Sequence, residues 1–163
     1  MALRTDNETR TTPSVLDRLI DDDPRSSSEA PKSRSVSIRE LKQSVRRDLE
    51  WLLNTRSVYD SFLETDLEEA KRSVAFYGLR DITGMSVRNH NEQKKLTESL
   101  ETAIRNFEPR FLDVKVSSEP LYNSDRQLKF RIEAKLNMEP VPEPITFDTV
   151  LQVGSGEFEI TEK

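Results

Sequence analysis

The sequence contains no cysteine, which excludes disulfide frameworks and thiolate zinc sites and fits a reducing compartment. Histidine occurs once, at His90, in a polar stretch before a helical pattern, and reads as a surface residue rather than a base or ligand. The four glycines form no phosphate-binding loop. One tryptophan and three tyrosines supply little aromatic surface for a sugar-binding groove. No apolar run approaches the roughly 20 residues that span a bilayer. The first 35 residues are polar and lack the apolar core of a signal peptide. The expected address is cytoplasmic, with no direct membrane insertion. Hydrophobic and charged residues each make up 34% of the chain, so the core is modest and much surface is left for partners. The net charge of -5 argues against nucleic acid as the main partner, because phosphate binding needs a concentrated basic face. No cofactor is implied.

What is present divides into a tail and a body. Residues 1–35 read as a flexible N-terminal segment, and residues 36–163 as a single α+β domain. Within the tail, Val15, Leu16, Leu19 and Ile20 share one face of a two-turn helix over 14–20. Ser14 is its expected cap and Asp17 stands at the third position. So short a helix is marginal in water and needs a surface, either on its own domain or on a partner. Asp21-Asp22-Asp23-Pro24 and the serines that follow read as a linker, the aspartates as a solvated helix end and not a metal site.

The body opens with helical spacing at Ile38, Leu41, Val45, Leu49, Leu52 and Leu53, with Ser37 and Glu40 as a capping pair. A second helix is predicted over 66–77, capped by Thr65 and Glu68 and ended by Gly78. A third runs from Asn89 to Phe107, with Leu96, Leu100, Ala103, Ile104 and Phe107 on its buried face and Pro109 preventing its continuation. The period then changes to two. Leu112, Val114 and Val116 form one dry set. Leu128, Phe130, Ile132, Ala134, Leu136 and Met138 form a second, and Ile145, Phe147, Thr149, Leu151 and Val153 a third. Gly154-Ser155-Gly156 turns into a short fourth strand at Phe158 and Ile160, and the prolines at 140, 142 and 144 predict a stiff connector. The fold class is α+β: about three helices, then an antiparallel sheet of three to four strands covered on one face.

Several stretches, in order, resemble the TssE family of type VI secretion baseplate subunits. They are Pro13-Ser14-Val15-Leu16-Asp17-Arg18-Leu19, Arg47-Asp48-Leu49-Glu50-Trp51-Leu52-Leu53-Asn54-Thr55-Arg56, Tyr77-Gly78-Leu79-Arg80-Asp81 and Phe107-Glu108-Pro109-Arg110-Phe111. The last contains a Glu-Pro-Arg signature shared with phage baseplate wedge proteins. The resemblance implies a structural role on the cytoplasmic side of an inner-membrane complex. Its implied partners are the wedge subunits TssF, TssG and TssK, a nearby VgrG and Hcp hub, and the first ring of the TssB–TssC contractile sheath. Sheath subunits of that family join by exchanging strands, so residues near 145–160 are expected to offer a strand edge, unless that edge is solvated or covered.

The candidate binding residues are Glu108, Pro109, Arg110, Leu16, Leu19, Arg46, Arg47 and Asp48. Pro109 stops a helix and fixes the exit direction, while Arg110 is a planar fork suited to carboxylates. Either Glu108 or Arg110 makes a partly buried charged contact, or the pair is an exposed ion pair at a helix stop. Arg46, Arg47 and Asp48 either face solvent or contact TssF or TssG. Trp51, off the main apolar stripe, is either a binding anchor or an extension of the core. Two rival functions are a lysozyme-like glycosidase and a small anti-adaptor. The first needs two carboxylates, one with a raised pKa, and no acid here lies in an apolar stretch. The Ser-Val-Leu-Asp-Arg-Leu opening and its linker favour the baseplate reading over the second.

Overall fold

The computed structural model describes residues 14–21, 24–25, 38–57, 68–82, 85, 89–119, 127–138 and 141–162. The helices are α1 (Val15–Leu19), α2 (Ile38–Asn54), α3 (Glu68–Lys71) and α4 (His90–Phe107), with a 3-10 turn at Val74–Phe76. The strands are β1 (Phe111–Glu119), β2 (Gln127–Leu136), β3 (Glu143–Gln152) and β4 (Glu157–Glu162). They form one antiparallel meander in the order β1-β2-β3-β4. The fold is therefore α+β, as the change of period predicts.

The core lies between one sheet face and the two long helices. Leu41, Val45, Leu49, Leu52 and Leu53 of α2 are buried, as are Leu96, Leu100, Ala103 and Ile104 of α4. Helix α4 packs over β1 and α2 over β4. Every apolar residue of the alternating set in β2, from Leu128 to Leu136, points into this layer, and Met138 is buried beyond it. The opposite face is polar. There Arg131 pairs with Asp148 across β2 and β3 at 3.1 Å and reaches Glu119 on β1 at 2.7 Å. Lys129 joins the same two carboxylates, so the wet face carries its own neutralised ladder.

Several expectations are corrected. In β1 the dry set is Phe111, Val114 and Val116, while Leu112 is 51% exposed. The pairing runs from Phe111↔Leu136 to Val114↔Ala134, an extra residue on β1 that inverts the alternation. Of the helix expected over 66–77, the described residues, from 68 on, keep only α3. The Ser73 hydroxyl donates to the Ala70 carbonyl, closing the helix, and the chain restarts as the 3-10 turn. Gly78 therefore ends no long helix. It has φ +107° and lies against the exit of α2, where a Cβ would sit 2.4 Å from the Thr55 carbonyl oxygen. The Leu79 N–H donates to that oxygen, and the Leu79 carbonyl accepts from Ser57, both at 2.8 Å. Pro144 belongs to β3, opposite Lys135, so the connector is shorter than three prolines. Strand β3 is paired on both sides, so within 145–160 only β4 is an edge.

Helix α1 has its expected capping box, with Ser14 and Asp17 bonded reciprocally. Asn89 caps α4. Thr65, Ser37 and most of the linker over 21–35 lie outside the described residues. No helix among the described residues is long and apolar enough to cross a membrane.

Candidate functional site

Helix α4 ends where Glu108 precedes a proline, and this corner positions the site. The Glu108 N–H still donates to the Ile104 carbonyl, but its own backbone has left the helix at φ -117°, ψ 82°. Pro109 turns the chain, and the Phe111 N–H closes the turn on the Glu108 carbonyl. The Arg110 carbonyl accepts from Asn137 at 2.8 Å, tying the corner to the end of β2. The Glu108 carboxylate is thereby turned inward and is 4% exposed.

Arg110 grips that carboxylate with two donors. Its Nε donates to Oε1 at 2.7 Å and its Nη2 to Oε2. Nη2 also donates to Asp48 at 2.6 Å, and Nη1 to the Ser44 hydroxyl at 3.0 Å. The network continues along α2. Arg47 donates to Asp48 at 2.8–3.0 Å and to Asp17 of α1 at 2.7 Å. The Ser44 hydroxyl donates to Asp17 at 2.9 Å. Glu108, Arg110, Asp48, Arg47 and Asp17 thus form an alternating chain of charges that staples α1, α2 and the α4–β1 corner together.

The electrostatics are those of fixed charges. Burial disfavours the Arg110 cation, but Glu108 and Asp48 outweigh it and hold its pKa above the ordinary value. Burial likewise opposes the Asp17 carboxylate, yet hydrogen bonds from Ser14, Arg47 and Ser44 bring it from 3.8 down to about 2. The Arg47 cation, also disfavoured by burial, is raised by Asp17 and Asp48. Tyr77 is raised by burial and by the charges of Asp48 and Glu108. Each of these shifts moves a group away from neutral pH, opposite to what proton transfer requires. Asp148 fails the glycosidase requirement too. Burial raises it, but Arg131 and Lys129 hold it below the ordinary value.

Beside the charges lies a cleft of about 360 Å³, lined by Leu16, Trp51, Tyr77, Phe107 and Pro109 as well as Asp48, Glu108 and Arg110. Tyr77 meets Phe107 edge to face at 5.3 Å. Trp51 is 49% exposed, with the Arg47 guanidinium 5.1 Å from its ring centroid. Helix α1 meets the body through its polar side. Of its apolar residues, Leu16 lines the cleft and is 44% exposed, while Val15 and Leu19 are 64% and 76% exposed. A larger cleft, about 570 Å³, lies between α4 and the turn at Phe76–Arg80 and contains none of the charged network. The corner carries the buried chemistry, so size alone does not locate the site.

Of the residues expected from the sequence, Glu108, Pro109, Arg110, Arg47, Asp48 and Leu16 come together at this corner. Leu19 is exposed and does not line the cleft, and Arg46 is exposed outside the network. Sequence reasoning missed Ser44 and Tyr77 as site residues and read Asp17 only as a cap. A serine inside a good helix is the one local signal that pointed to Ser44. Nothing local reveals that Asp17 meets Arg47.

Residues 39–141, more than half of the chain, match the family described as baseplate wedge protein gp25. The match takes in α2, the corner, β1 and β2, and leaves α1 outside it. No curated protein matches the chain, and no solved structure does.

Proposed function

The chain belongs to the baseplate wedge protein gp25 family, and on that premise we propose that it is a structural subunit of a type VI secretion baseplate. In this reading it joins TssF, TssG and TssK in a wedge near the VgrG and Hcp hub. It sits on the cytoplasmic side of the inner-membrane complex and helps start the TssB–TssC sheath. The observation that carries the reading is the corner itself. A buried Glu108 is held by an Arg110 that also reaches Asp48, so a rigid, charged surface stands beside exposed Trp51 and Leu16. Such a site binds by shape and fixed charge, and wedge partners are expected to close over it. Leu16 in the cleft and the exposed Leu19 would add apolar contacts. Residues 1–35 serve as a tether for α1, and residues 36–163 are one wedge-like domain. The edge offered to the sheath is β4.

The test is coexpression of the affinity-tagged chain with TssF, TssG and TssK from one secretion cluster. A stable complex containing the chain is expected. Assembly of TssF, TssG and TssK that excludes the chain would defeat the reading.

A further inference from the structure

An open meander leaves β1 and β4 without a second strand partner among the described residues. Helix side chains occupy part of each edge, in different ways. On β1, Arg105 donates to the Val114 carbonyl at 3.3 Å, and Glu101 accepts from the Val116 N–H at 3.4 Å. These two residues pair with each other at 2.6 Å, so an ion pair lies along the edge. On β4, one neutral residue does the work. Asn54, the last residue of α2, donates through Nδ2 to the Phe158 carbonyl at 2.9 Å and accepts from the Phe158 N–H at 2.8 Å. A side-chain amide carries one donor group and one acceptor, as a peptide unit does. Asn54 therefore meets Phe158 as a neighbouring strand residue would.

We propose that Asn54 is a displaceable placeholder on the β4 edge, and that the occupant it yields to is an extended polypeptide strand of a partner. The proposal rests on the reading of β4 as the sheath-facing edge and names the residue that controls access to it. The occupant is a strand because Asn54 satisfies both backbone groups of a single residue, and main chain offers that pattern repeatedly along an edge. Exchanging two neutral hydrogen bonds for two others is nearly balanced, so modest side-chain contacts suffice to drive it. The β1 edge is a poorer acceptor. It is kinked by the bulge between Phe111 and Val114, and an incoming strand would have to dislodge an ion pair.

The test uses the full chain, with purified TssB–TssC sheath subunits as the probe, and reads amide exchange and affinity. In the free protein, Asn54→Ala is expected to speed exchange at the Phe158 amide about tenfold. Adding sheath subunits should restore that protection and bind Asn54→Ala about tenfold more tightly than wild type, the competing side chain being gone. Glu101→Gln with Arg105→Gln should leave affinity unchanged. If 157–161 become protected in wild type and variant alike with equal affinity, the placeholder is refuted and strand addition stands. If no amide in 157–161 responds in either protein, the β4 reading fails and takes the placeholder with it. Asn54→Asp keeps the acceptor for the Phe158 N–H but loses the donor. It should give an intermediate gain in affinity and serves if the alanine variant does not fold.

Discussion

Replacing Arg110 with methionine should destabilise the protein through the group left behind. Methionine keeps most of the stem volume but removes every donor. Glu108, 4% exposed, would then keep only its bond from the Arg110 backbone N–H, at 3.1 Å. Asp48 is less affected, being about one-fifth exposed and still held by Arg47. Breaking a fully buried pair from one side costs about 3–5 kcal/mol. The retained N–H bond and the partial exposure of Arg110 and Asp48 reduce this to about 2–4 kcal/mol. For a chain of this length that lowers the melting temperature by about 5–15 °C. Urea unfolding followed by circular dichroism gives the free energy. The second arm is Glu108→Gln in the Arg110→Met background. It removes the uncompensated charge and should recover at least half of the loss, a coupling no sum of single effects reproduces. A loss below about 0.5 kcal/mol for Arg110→Met, or no recovery in the double variant, would refute the reasoning.

Three further outcomes follow from the same geometry. Asp17 is depressed from 3.8 to about 2, so its stabilisation of the α1 contact is present above pH 4 and is lost as pH falls towards 2. The loss is about 1–2 kcal/mol after solvent screening. It should appear as an acid transition in the fluorescence of Trp51, the only tryptophan, which shares its cleft with Leu16, and be missing in Asp17→Asn. Gly78→Ala forces a side chain into positive φ and against the Thr55 carbonyl, and should cost about 2–4 kcal/mol in the same unfolding assay. Thr149 is fully buried and its hydroxyl has no hydrogen-bond partner among the described residues, so Thr149→Val should raise stability by about 1 kcal/mol.

Much of the architecture was legible because it rests on local periodicity. The spacing from Leu41 to Leu53 and from Leu96 to Ile104 marks faces that are buried, and the unbroken alternation from Leu128 to Met138 marks a strand wet on one side. What was not legible depends on pairing between distant residues. The bulge that turns Leu112 outward is a property of β1 against β2, not of β1 alone. Helix α3 stops early because of a side-chain bond at Ser73 that competes with helix continuation. At the site, Glu-Pro-Arg announced a helix stop and a charged corner. The partners of Arg110, 62 and 66 residues away at Asp48 and Ser44, were set by how α2 crosses the sheet. Asn54 lies within the Arg47–Arg56 stretch, yet its bonds to Phe158 exist only because β4 returns beside the end of α2.

A scaffold that works through its charged corner loses its partners when that corner is removed. The most direct measurement is the affinity of TssF–TssG for wild type and for the Arg110→Met/Glu108→Gln variant, at a temperature where both are folded by circular dichroism. The account predicts at least tenfold weaker binding by the variant, because the corner's fixed charges and shape are gone while the fold persists. Equal affinity for the two folded proteins would contradict it.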